Sequence, residues 1–135
     1  MKTSEDIAIK VREVLLNASI PDVSIEWDRK GYDRTKEVVI VPHTTDGEGS
    51  LRAATIILNI HVPDKYDADN SCYEADRATL IDLKGKVIDA VKRYYWKGTG
   101  ISWSVSSVGA IIKEPDHNEH YTSVYLTSHI RERKN

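Results

Sequence analysis

Leu51-Arg52-Ala53-Ala54-Thr55-Ile56-Ile57-Leu58-Asn59-Ile60-His61-Val62 is the stretch whose reading decides the fold. From position 54 on its even positions, Ala54, Ile56, Leu58, Ile60 and Val62, are all apolar. Its odd positions mix Ala53, Thr55 and Ile57 with Asn59 and His61. A period of two places alternate side chains on opposite faces of a sheet, so this is a long strand whose even face meets the core. Within Ala53 to Val62, Thr55, Asn59 and His61 interrupt the apolar run, which is far shorter than the ~20 apolar residues of a membrane helix.

Upstream, Thr44-Thr45-Asp46-Gly47-Glu48-Gly49-Ser50 carries the residue types of a flexible turn. Before it, Glu37 to Val41 contains four consecutive β-branched residues. Such a run predicts burial on both faces, or one face on the core and one on a neighbouring subunit. The two strands therefore form an antiparallel hairpin with a mobile tip. Earlier still, Asp28 to Thr35 reads as a polar loop, and Val23-Ser24-Ile25-Glu26-Trp27 as a half-buried strand. Ile7, Val11, Val14, Leu15 and Ala18 form the apolar stripe of a first helix, capped by Thr3 or Ser4, with Glu5 and Asp6 favoured by the helix dipole.

Downstream, Pro63 to Asn70 is a polar connector. Ser71-Cys72-Tyr73-Glu74 has the form of a capping box and predicts a helix from Ser71 to about Tyr95, ended by Gly98 and Gly100. Its stripe is Leu80, Leu83, Val87, Val91 and Tyr94. Gly85 within it costs about 1 kcal/mol relative to alanine, which close contact with the sheet would explain. Ile101 to Val105, Val108 to Lys113 and Tyr121 to Ile130 read as closing strands, with Thr122, Val124, Leu126, Ser128 and Ile130 sharing one face. The expected fold is a single α+β domain over residues 1–135, in the order α-β-β-β-α-β-β(-β), with both helices on one face of an antiparallel sheet.

Composition fits that picture. The chain has 135 residues, 19 basic and 21 acidic, and a net charge of -2. This disfavours a nucleic-acid wrapper, which needs a strong positive field. The basic and aromatic segment Lys92 to Lys97 is explained by the preference of a helix C-terminus for cations. The single cysteine, Cys72, excludes an internal disulfide and thiolate-rich zinc sites. It is expected to be partly buried near a helix start. The N-terminus lacks the apolar stretch of a signal peptide.

No motif with a catalytic mechanism stands out. His117 and His120 lie in a turn that splays them apart, and Asp116 and Glu119 read as turn-formers and solvated charge. Asp64, Asp67 and Asp69 resemble a calcium loop, but Asp69 and Ala75 stand where the EF-hand needs glycine and glutamate. Residues 46–50 are acidic and lead into a strand, unlike a phosphate loop. The expectation is no catalytic residue, no cofactor and no metal.

The order of elements resembles that of the bacteriophage tail-terminator and tail-completion (head–tail joining) proteins. The likeness rests on Thr55 to Val62 leading through Pro63 to Asn70 into Ser71 to Tyr95, followed by the strands Ile101 to Lys113 and Tyr121 to Ile130. It covers nearly the whole chain but is one of pattern. It implies a structural protein of a phage or prophage tail that forms a ring, often a hexamer, and contacts other tail or head-connector proteins. It implies no catalysis, no cofactor, no direct nucleic acid and no membrane, with assembly in the bacterial host cytoplasm and a place in the virion tail or neck.

Every aromatic residue here is Trp or Tyr, types suited to interfaces. The expected contact residues are Thr45, Asp46, Gly47, Glu48 and Gly49 at the hairpin tip and Trp27, Trp103 and Tyr125 on strands. Two alternatives remain open: a small bacterial α+β module that binds protein through its sheet, and an enzyme with a dispersed site such as His61, His129 and Asp64.

Overall fold

The computed structural model describes residues 3–43 and 51–131. The expected tip residues Thr45, Asp46, Gly47, Glu48 and Gly49 lie outside the described residues. Helix α1 spans Ser4–Asn17 and is capped by Thr3, whose side chain accepts from the Asp6 N–H while Asp6 reaches back to the Thr3 N–H. Ile7, Val11 and Leu15 bury its expected stripe, joined by Ala8, whereas Ala18 is exposed.

The strands are β1 (Ser24–Glu26), β2 (Glu37–Pro42) and β3 (Leu51–Pro63), then a small hairpin of β4 (Lys65–Asp67) and β5 (Cys72–Glu74). Helix α2 (Arg77–Val91) precedes β6 (Arg93–Trp96), β7 (Ile101–Val108), β8 (Ile112–Lys113) and β9 (Glu119–Arg131). The main sheet runs β1-β2-β3-β9-β7-β6, with β8 also paired to β9. Every pairing is antiparallel except β1 with β2. The fold is α+β with a mostly antiparallel, curled sheet. No described helix is long and apolar enough to cross a membrane.

The long strand behaves as its alternation requires. Ala54, Ile56, Leu58, Ile60 and Val62 are buried in one core with α1 and α2. Val38 and Ile40 of β2, and Thr122, Val124, Leu126 and Ser128 of β9, align with them and point the same way.

The second helix differs at both ends. The segment before it forms the hairpin β4–β5, closed by Asp67 accepting the Asp69 N–H and the Asn70 side chain, with Ser71 at φ 51. The capping role falls to Asp76, which accepts from the Thr79 N–H, not to Ser71. Cys72 is exposed on β5. After Val91 the chain turns into β6, because Tyr94 and Trp96 extend the inner sheet face beside Trp103 and Ile101. Gly98 and Gly100 have φ of 83° and 75° and belong to the β6–β7 turn, not to a helix end. Gly85 lies on the exposed side of α2, where a Cβ would meet nothing within 4 Å, so sheet contact does not explain it.

Candidate functional site

The outer face of the sheet has no helix among the described residues, yet one end of it is buried. Registry aligns Glu37 with His61, His61 with Tyr121, and Pro63 with Glu119. All four named side-chain groups, Glu37, His61, Tyr121 and Glu119, therefore share that end. The loop between β1 and β2 folds over it. Gly31 makes the bend possible, because a Cβ there would lie 1.9 Å from Thr35 Oγ1. Asp33 takes a left-handed φ of 64°.

Arg29 enters from this loop and pairs with both Glu37 and Glu119. Its Nη2 donates to both oxygens of Glu119. Backbone amides complete the carboxylate shells. Glu37 accepts from the Lys30 N–H at 3.2 Å and the Gly31 N–H at 3.1 Å, and Glu119 Oε2 accepts from the Asp33 N–H at 3.0 Å. Glu37 and Glu119 are 1% and 0% exposed, which only paired and hydrogen-bonded charges tolerate.

His61 stacks on Tyr121 with ring centroids 5.1 Å apart. Its Nδ1 lies 3.4 Å from Glu119 Oε1 and 3.8 Å from Glu114 Oε2, but makes no well-formed hydrogen bond among the described residues. Burial, reinforced by the Arg29 charge and opposed by Glu119, lowers its pKa to about 4. The imidazole is therefore neutral near pH 7. At the solvent rim, Asp33 accepts from the Asn118 N–H at 2.6 Å and contacts His117 Nδ1 at 3.1 Å. The His117 contact, then the Asn118 hydrogen bond, holds the Asp33 carboxyl below its ordinary value. Tyr32 stacks between His117 and the Arg29 guanidinium.

Glu119 is thus a buried ion-pair partner, not the solvated turn charge expected from its neighbours in sequence. The strand starts at Glu119, two residues before the expected Tyr121, which moves its side chain onto the sheet. His117 and His120 do separate: His120 Nδ1 meets Asp64 at 2.6 Å, while His117 faces Asp33.

The expected contact residues fare differently. Trp103 is 2% exposed and its Nε1 donates to the Val91 carbonyl at 3.0 Å, so it is a core residue, not a contact surface. Its position opposite Ser128 puts it on the helix side of β7. Trp27 lies just beyond β1, not on a strand, and is 39% exposed with the Arg12 guanidinium over its ring. Tyr125 is half-buried on the outer face, opposite Ile57. The dispersed set His61, His129 and Asp64 does not converge. His61 pairs with Tyr121 while the exposed His129 pairs with Ala53 towards the other end of β3, and Asp64 is taken by His120. An open cleft of about 510 Å³, lined by Lys65, Tyr73, Arg77, Lys113 and His120 among others, includes none of those three.

No protein-family model matches the sequence, and no curated protein matches it.

Proposed function

We propose that the chain is a structural subunit of a phage or prophage tail, a terminator, completion or head–tail joining protein that forms rings and binds its neighbours through surfaces. The observation that carries this reading is the row Val41–Ile57–Tyr125 across β2, β3 and β9 on the face opposite both helices. Val41, Ile57 and Tyr125 are half-buried, and Val39 beside them is buried, on a face that the described helices leave uncovered. Apolar sheet surface of this kind is the material of subunit interfaces.

Light scattering on the size-exclusion eluate, with electron microscopy of the same fractions, tests the reading. The expected result is a closed ring of several chains that Val41→Lys disperses into folded monomers. A strict monomer at high concentration that fails to assemble on purified tails would sink it. A monomer that captures a protein segment through this face would favour the binding-module alternative.

A further inference from the structure

We propose that His61, Glu114 and Glu119 form a binding site for a divalent transition ion of the Zn²⁺ class. The inference does not depend on the assembly reading. One ligand atom from each residue lies within 4.8 Å of the others. Bonds of ~2.1 Å at tetrahedral angles place ligand atoms about 3.4 Å apart. His61 Nδ1 already stands 3.4 Å from Glu119 Oε1 and 3.8 Å from Glu114 Oε2.

An acidic cluster would not suffice, but a separate observation points to a ligand. His61 is 5% exposed, and its Nδ1 is a buried nitrogen that faces the two carboxylates without a well-formed hydrogen bond among the described residues. Buried polar atoms left this way are uncommon and call for an unseen partner. Charge agrees. Arg29 pairs with Glu37 and Glu119, and Glu114 adds a third carboxylate beside His61. One guanidinium against three carboxylates makes an acidic cluster that a dication would offset.

Glu119 Oε2 takes the Asp33 N–H, while Oε1 faces His61 and also accepts from Arg29 Nη2, so an ion would share Oε1 with the guanidinium. Glu114 is the adjustable ligand, with its side chain 22% exposed, and it marks the side from which an ion and a completing water would enter. One imidazole and two carboxylates suit a borderline ion such as Zn²⁺, Co²⁺ or Mn²⁺, whereas Mg²⁺ prefers an all-oxygen octahedron.

The experiment loads the chelator-stripped full chain with Zn²⁺, removes excess by dialysis and measures retained metal by mass spectrometry. We expect about one ion per chain, a higher Tm with Zn²⁺ than with Mg²⁺, and an affinity at least tenfold weaker in Glu114→Gln and His61→Gln. His129→Asn, an exposed histidine outside the cluster, should bind as the parent does. Should both cluster variants fail to fold by circular dichroism, the visible spectrum of the Co²⁺-loaded parent decides. Intense bands of a four-coordinate ion support the site, and the weak spectrum of hydrated Co²⁺ overturns it. Failure to retain Zn²⁺, or equal retention by folded Glu114→Gln and His61→Gln, also overturns it.

Discussion

The two faces of the β2–β3–β9 strip use the same strands to opposite ends. On the inner face Ile40, Leu58 and Val124 stand in register and bury hydrocarbon against the helices. On the outer face, within the same three strands, Glu37, His61 and Tyr121 stand in register and bury charge beneath a loop. Inner packing is non-directional and tolerates changes of shape at moderate cost. The outer cluster is directional: each carboxylate depends on one guanidinium and on particular amides. Similar burial therefore signifies different things on the two sides, namely stability on one and specified geometry on the other.

The comparison is sharpest at Arg29. Arg29→Met should destabilise the protein by about 3–5 kcal/mol, because Glu37 and Glu119 are left buried without their cation. Adding Glu37→Gln and Glu119→Gln should recover more than half of that loss. Urea melts of the single and triple variants provide the check, and no recovery would mean the cluster acts by packing alone.

Leu58→Ala, on the opposite face, should cost about 3 kcal/mol through lost burial and a residual cavity. No second substitution that merely adjusts charge should rescue it. Its loss should be nearly independent of pH, as measured by the same melts between pH 5 and pH 8.

Acid separates the faces next. His61 has a folded pKa near 4, whereas a histidine in the unfolded chain titrates at about 6.5. Between those values the unfolded state binds more protons, so this contribution to stability is complete above pH 6.5 and is lost as the pH falls to 4. In the presence of chelator the parent should lose about 3 kcal/mol more than His61→Gln over that window. Equal slopes for the two would show that His61 is not the source of the sensitivity.

The smallest effect concerns α2, away from both faces. Gly85→Ala should stabilise by about 0.5–1 kcal/mol, since the site is helical, exposed and open to a Cβ. A loss in thermal melts would reveal a contact at this position.

The inner face was legible because alternation is a local signal: Ala54 to Val62 announces its own burial. The hairpin of β2 and β3 followed from the same pattern. The outer cluster was not, because its members come from segments that each read as polar loop or turn. Arg29 and Glu119 are 90 residues apart, and neither has a neighbour that marks it as buried. The one available signal was His61 within a mostly apolar strand, across from Glu37, which opens the strand before it. The helix ends were misread for a related reason. Ser71 to Glu74 has the composition of a cap, but Asp67 makes the local hydrogen bonds that turn the chain into a hairpin first. At the other end, cross-strand pairing with β7 outweighs the helical periodicity of residues 93–96.

The place of β9 has a further consequence, for how the chain folds as it is made. It follows every other strand of the sheet in sequence, yet lies between β3 and β7. Asn59 and Ser123, hydrogen-bonded across the β3–β9 seam, are 64 residues apart. On the ribosome, β3 and β7 must each wait with an open edge until β9 emerges and joins them. That interval exposes the apolar run from Ile56 to Ile60, so premature termination or slow translation of the last strand carries a hazard of aggregation that the finished sheet does not.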